Sequence, residues 1–218
     1  MLNYKTYLIR ERVVMYSHAN TYDIYDAVTN QLVAAAVEEP PNALKLLKAM
    51  KTHRASSKSL DIRGYLRLIW NFWLTSHQVK VFDKSNGQVA FSLIRGFSWS
   101  GTRVEIVDGR GPTLGYLKSK LVSPGGGFYL YDSQDQPLAQ VKGDWKGFDF
   151  KMISNDGQEL GEVTKQWAGL KKELFTSTDN YVIALNDNQV DNPVGDMLLL
   201  AAGLAIDLVY HSRKSRTW

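Results

Sequence analysis

Basic side chains recur at short intervals between residues 45 and 63, where they could hold a negatively charged partner. Leu44, Leu47 and Met50 follow helical spacing with lysines between them, so residues 40–64 are predicted as a basic amphipathic helical insertion. Such a helix is typical of an element on an anionic membrane surface, where each cation contributes about 1 kcal/mol. The alternative is a solvated helix packed across one end of a domain. The candidate lipid-binding residues are Lys45, Lys48, Lys51, Arg54, Lys58 and Arg63.

Three aspartates, Asp179, Asp187 and Asp191, are the candidate metal ligands. Their carboxylate oxygens suit Ca²⁺, which takes six to eight oxygen ligands, but they do not follow the spacing of an EF-hand loop. Aspartate is also frequent in turns and at helix N-termini, which accounts for the same residues without a metal. Calcium is therefore the single candidate cofactor, and no other is predicted.

Catalytic chemistry finds little support in the sequence. The four histidines are scattered, with no paired metal-ligand spacing. The absence of cysteine excludes disulfides and thiolate nucleophiles, and neither a Gly-x-Ser-x-Gly elbow nor a phosphate-binding loop is present. A net charge of +4 permits an anionic partner without requiring one. We therefore predict a protein that is not an enzyme.

The elements that would carry these residues are repeats. In each, two apolar residues alternate and a turn-forming residue follows, which is the pattern of a β-hairpin. Small residues recur where the second strand of the hairpin begins, among them Ala90, Gly115, Ala139 and Gly161, and indicate a close approach to a bulky group inside. The five repeats begin as YDIYDAVTNQ (22–31), VKVFDKSNGQ (79–88), VEIVDGRGPT (104–113), FYLYDSQDQP (128–137) and FKMISNDGQE (150–159).

Residues 197–211, MLLLAAGLAIDLVYH, form the most apolar stretch. A bilayer span needs roughly 20 apolar residues, whereas Asp207 interrupts this one, so a core helix is predicted. Because the helix is apolar on all sides, something must enclose it. Five hairpins with two further strands, YKTYLIR near the start and YVIAL at 181–185, make twelve strands, which can close into a barrel without edges. We predict a mainly β fold: a closed twelve-stranded barrel of repeated hairpins around a central C-terminal hydrophobic helix.

Three stretches of the sequence are similar to the phospholipid scramblases. The first hairpin resembles theirs, in which a Tyr-x-Ile strand leads to an Ala-x-Glu-Glu ending, and GRGPTLGYL (109–117) is similar to their Pro/Gly-rich turn. GEVTKQWAGLKKELFTSTDNYVIAL (161–185) resembles the scramblase stretch that ends in Glu-x-Phe-Thr and Asp-Asn-aromatic. The resemblance runs from about residue 7 to 211, and it implies the Tubby-like barrel shared by scramblases, LURP-one-related proteins and the Tubby C-terminal domain.

The sequence also departs from that family. Animal scramblases carry a Pro-rich N-terminal extension and a palmitoylated cysteine cluster, and this chain has neither. Ser177 stands where the family's proposed calcium segment has its first aspartate, which leaves Asp179. One carboxylate of the expected calcium segment is therefore missing.

These observations define the expected protein. Residues 1–218 are predicted as a single cytoplasmic domain without a signal peptide, which binds an anionic phospholipid or phosphoinositide membrane surface peripherally. One alternative is phospholipid scramblase activity, with calcium-dependent translocation of lipid. Another is a protein-interaction module that has a protein partner and no lipid role. No nucleic-acid partner is expected, and the sequence does not define the oligomeric state.

Overall fold

The computed structural model describes residues 2, 4–12, 20–39, 77–96, 103–119, 127–144, 147–165, 180–186 and 193–214. Twelve antiparallel strands close into a barrel in which each strand pairs with its neighbours in sequence and β1 also pairs with β12. The predicted mainly β fold is therefore confirmed. The strands are β1 Thr6–Arg12, β2 Thr21–Asp26, β3 Leu32–Glu39, β4 His77–Asp83, β5 Val89–Gly96, β6 Arg103–Asp108, β7 Thr113–Ser119, β8 Phe128–Asp132, β9 Pro137–Asp144, β10 Asp149–Ser154, β11 Glu159–Thr164 and β12 Tyr181–Leu185.

The five predicted hairpins share one turn geometry. In each, the N–H of the last residue of the first strand donates to a carbonyl four or five residues later, as Asp26 does to Gln31 and Ser154 to Gln158. In the first four hairpins the side chain of that last residue, an aspartate, accepts a hydrogen bond from the N–H two residues on. Aspartate stabilises turns in this way, which explains why the repeats carry it at this position.

A β-bulge lies next to every one of these turns. The register shifts between Ile24 and Tyr25 in the first hairpin, and at the equivalent position in the other four. A bulge adds one residue to one strand and increases the local twist. The repeated bulges therefore contribute to the curvature that closes the barrel.

One helix, α1 (Pro193–Lys214), follows β12 and fills the interior. Its side chains from Met197 to Asp207 are buried, and they form one apolar cluster with the inward-facing residues of the strands. A Cβ atom at Gly203 would lie 2.6 Å from Cδ1 of Ile183, and one at Gly115 would lie 3.1 Å from Cδ2 of Leu198. The predicted core helix at 197–211 and its close approach at Gly115 are thus confirmed. Within the part of the chain that the structure describes, no helix combines the length and apolarity needed to cross a bilayer.

The barrel has two unlike ends. The turn end consists of the five hairpin turns, Lys5 and the first turn of α1, and it is where β12 ends. The connection end is the opposite one, where β1 ends and β12 begins, and where α1 arrives with Asp207. Antiparallel pairing places every segment that joins one hairpin to the next at the connection end. Strand β4, with seven residues, spans about 23 Å along the strand and about 17 Å along the tilted barrel axis.

Candidate functional site

The predicted lipid-binding and calcium residues lie outside the described residues, and so does the predicted helical insertion at 40–64. Their described neighbours show which end of the barrel each segment joins. The chain leaves β3 at Glu39 and re-enters β4 at His77, both at the connection end, so the segment that contains the six basic residues starts and finishes there. Asn180 and Asn186, the described neighbours of Asp179 and Asp187, lie at opposite ends of β12. Among the described residues, no group of three His, Cys, Asp or Glu side chains could hold a metal, and calcium stays a prediction.

The turn end is acidic. Its seven aspartates face three basic residues, for a formal charge of −4, while the whole chain carries +4. The remainder of the chain therefore carries a formal charge of +8, and the segment 40–64 contributes a large share of it. The charged residues of the turn end are Asp26, Asp83, Asp108, Asp132, Asp135, Asp156 and Asp196 with Lys5, Lys84 and Arg110.

Local hydrogen bonds lower the pKa of two turn-end carboxyl groups, Asp26 and Asp83. Burial alone would raise the pKa of Asp26, but hydrogen bonds from the Thr29 hydroxyl and from the N–H groups of Val28 and Thr29 outweigh it and lower this pKa. At Asp83, burial is likewise outweighed by the hydroxyl and N–H of Ser85, at 2.7 and 2.9 Å, and the pKa is lowered. The acidic charge of this end is thus built into its turns.

At the connection end, the interior contains a polar cluster. Asp207 has an acidic side chain, yet it is only 4% exposed because it lies on the part of α1 that is enclosed by the barrel. Burial raises the pKa of the Tyr22 hydroxyl, and the charges of Asp207 and Glu11 raise it further. Burial also raises the pKa of Tyr181, to which Asp207, Tyr22 and Glu11 add. Both phenols are therefore neutral at physiological pH and line the interior beside the carboxylate.

In the sequence, Asp207 marks only an interruption of an apolar run. Tyr22 and Tyr181 follow the pattern of apolar strands, and nothing in that local pattern marks them as neighbours of Asp207. The signal available in the sequence is Asp207 itself, because an acidic side chain in an enclosed helix requires polar neighbours to offset the cost of its burial.

The turn-end mouth of the barrel contains a cavity of about 350 Å³. Leucines from four strands line it together with the first two turns of α1, and Asp132, Ser133 and Ser154 lie at its rim. Its apolar walls are side chains at the contact between α1 and the barrel strands.

A closed antiparallel barrel around an apolar helix, with an acidic turn end, is the class of protein that the fold defines. The Scramblase family matches residues 7–213, and the chain therefore belongs to the Scramblase family. Membership in this family indicates a lipid-related role.

Two curated relatives match parts of the chain. "Altered inheritance rate of mitochondria protein 25" of Saccharomyces cerevisiae is 30% identical over 93 residues, which cover 36% of this chain and 28% of that protein. A protein of Schizosaccharomyces pombe named as a phospholipid scramblase family protein is 27% identical over 140 residues, or 57% of this chain and 35% of that protein. The matched regions thus span about a third of the length of these relatives. No solved structure gives a significant match, and the relation to LURP-one-related and Tubby proteins stays a prediction.

Proposed function

We propose that the protein attaches peripherally to anionic phospholipid membranes through its connection end, without catalysing a reaction. The observation that carries this proposal is the acidic turn end, which carries −4 in a chain whose net charge is +4. In this proposal, residues 1–218 act as one domain in which the barrel and α1 form a rigid scaffold.

The binding energy of the basic residues and the distance between the two ends support attachment in one orientation. Each lysine or arginine near an anionic leaflet contributes about 1 kcal/mol, so the six basic residues of segment 40–64 together suffice for weak, reversible binding. The two ends lie about 17 Å apart along the barrel axis, which exceeds the Debye length of about 10 Å at 0.1 M salt. The acidic turn end therefore does not cancel the attraction at the connection end, and it is repelled when it faces the membrane.

The cytoplasmic leaflet is the anionic one in most cells, which makes the cytoplasmic side of a membrane the expected location. The hydrogen-bonded aspartates of the turn end leave that end without a basic surface for lipid. Attachment through one end also leaves the acidic end free for a protein partner.

Co-sedimentation with vesicles tests this proposal. We expect the protein to bind vesicles that contain phosphatidylserine, to ignore pure phosphatidylcholine vesicles, and to dissociate as salt is added, because screening weakens surface charge interactions. The triple variant Lys45→Gln, Lys48→Gln, Lys51→Gln should lose about tenfold or more in affinity. The matched control, Lys5→Gln, Lys84→Gln, Arg110→Gln, removes the same charge from the turn end and should bind like the unaltered protein.

Equal losses in both triple variants would contradict attachment through one end. A protein that ignores both vesicle types would contradict the lipid role itself and favour the protein-interaction alternative. The same vesicles, loaded with a fluorescent lipid and tested with and without calcium, report lipid translocation, which would favour scramblase activity over simple attachment.

A further inference from the structure

The outer wall of strands β6 to β9 carries a row of basic and aromatic side chains near the connection end. Arg103 pairs directly with Lys118 across β6 and β7, and Lys118 pairs directly with Tyr129 across β7 and β8. Tyr129 pairs with Gln140, which places Lys142 diagonally next to it on β9. Directly paired side chains have Cβ atoms about 5 Å apart and diagonal ones about 7 Å. Arg103, Lys118, Tyr129 and Lys142 thus form one contiguous surface, named here the wall patch.

Arg103 is held in place by its neighbours. Its guanidinium lies 3.7 Å from the centre of the Tyr116 ring, and that ring stacks on Tyr131 at 4.9 Å with an angle of 14° between the planes. The Arg103 Nε atom also lies 3.3 Å from a carboxylate oxygen of Glu105. Tyr116 is only 8% exposed, so this aromatic support is a fixed part of the wall. A guanidinium fixed in this way loses little conformational entropy when it binds.

The wall patch carries an electrostatic cost that a ligand would relieve. Like charges directly opposite each other on neighbouring strands are destabilising, and Arg103 faces Lys118 in that way. Lys118 and Lys142 are exposed, and neither has an ion-pair partner among the described residues. By contrast, Arg103 has Glu105 as its carboxylate partner, and two other cations of the outer wall are paired as well: Lys80 with Glu39, and Lys151 with Glu159.

We propose that the wall patch binds the phosphomonoester of a phosphorylated lipid headgroup. The guanidinium of Arg103 suits bidentate hydrogen bonding to phosphate, and Lys118 and Lys142 add two point charges. A phosphomonoester carries a charge of about −1.5 to −2 at pH 7, more than the single charge of a phosphodiester, so it gains more from three neighbouring cations. Tyr129 lies within the row, where its ring and hydroxyl suit the boundary between headgroup and water. This inference rests on the proposed membrane attachment and adds a headgroup preference to it.

Vesicles matched in total negative charge test the wall patch. One set contains phosphatidylserine and the other contains a phosphatidylinositol phosphate, both in phosphatidylcholine. We expect the unaltered protein to bind the phosphoinositide set more tightly. The variant Arg103→Gln, Lys118→Gln, Lys142→Gln should lose about tenfold in affinity for the phosphoinositide set and much less for the phosphatidylserine set. Arg103→Lys should lose part of the preference, since it keeps the charge and removes the bidentate geometry.

The matched control is Lys5→Gln, Arg12→Gln, Lys80→Gln, which removes three cations that lie away from the wall patch and already have carboxylate partners. It should keep the phosphoinositide preference, and thermal unfolding should show that both triple variants are folded. An unchanged preference in the wall-patch variant would overturn this inference and leave the general membrane attachment standing. Equally tight binding of soluble inositol phosphates in calorimetry would overturn a lipid as the partner. Failure of the unaltered protein to bind either vesicle set would overturn the proposed function together with the wall patch.

Discussion

The two ends of the barrel are built from different kinds of chain. The turn end repeats one plan five times: a short turn is closed by a backbone hydrogen bond from the last residue of the first strand, and a bulge follows in the second strand. The connection end joins its strands by segments of unequal length, of which residues 40–76 are the longest. The repeated turns and bulges help to close the barrel. The unequal segments at the connection end correspond to the loops on which proteins commonly carry their functional residues, above a rigid scaffold.

The largest expected effect comes from breaking the close packing beneath the turn end. A Cβ atom at Gly115 would lie 2.2 Å from the carbonyl oxygen of Tyr131 as well as near Leu198, so Gly115→Val should lower the free energy of unfolding by about 3 kcal/mol or more. Gly147 lies at the connection end, where the one described atom that a Cβ would approach is a carboxylate oxygen of Asp144, at 3.5 Å. Gly147→Val should therefore change stability by about 0.5 kcal/mol or less. Urea denaturation of both variants measures the difference, and equal losses would contradict the contrast between the ends.

A second prediction concerns alkaline pH and the interior of the connection end. Burial and nearby carboxylates raise the pKa of Tyr22 and Tyr181 above the ordinary value of 10.0. A folded-state pKa that is raised contributes stability below the unfolded pKa, and this stability is lost as pH rises above about 10. Wild-type protein should thus unfold steeply on the alkaline side. The double variant Tyr22→Phe, Tyr181→Phe removes both groups and should unfold less steeply, as followed by circular dichroism; an identical alkaline limb would contradict the placement of these phenols beside Asp207.

A third and smaller effect concerns acid and the turn end. The lowered pKa of Asp83 contributes stability that is present above its ordinary value of 3.8 and is lost as pH falls through the folded-state value. Asp83→Asn should cost about 1 kcal/mol at pH 7, because the amide replaces a charge-assisted acceptor for the Ser85 groups, and it should flatten the acid limb of stability. Urea midpoints from pH 7 down to pH 2 would test this. Unchanged midpoints in the variant would show that this turn does not depend on the ionised carboxylate.

Much of the fold was predictable because it depends on local patterns. Alternation such as Tyr22 and Ile24 before Asp26 defines a hairpin within a few residues, and the run from Met197 defines an apolar helix that requires an enclosure. These predictions need no knowledge of which distant residues meet.

The wall patch and the cluster at Asp207 were not predictable from such patterns. Pairing of Arg103 with Lys118 depends on a bulge between Ile106 and Val107, and a shift of one residue moves side chains to the other face of a strand. Tyr22 and Tyr181 meet Asp207 only because β1 closes the barrel against β12 and α1 then enters it. The basic residues of segment 40–64 were visible at once as a charge pattern, but their spatial arrangement lies outside the described residues.

The position of the enclosed helix in the chain also determines when the core can form during protein synthesis. Because α1 follows all twelve strands in the chain, each hairpin leaves the ribosome before its core exists. At roughly 5–20 residues per second, the delay between the synthesis of β1 and that of α1 amounts to about 10 to 40 seconds. During that time the inward faces of the hairpins are exposed to the cell. Until α1 is made, the inward faces of the twelve strands have no helix to pack against.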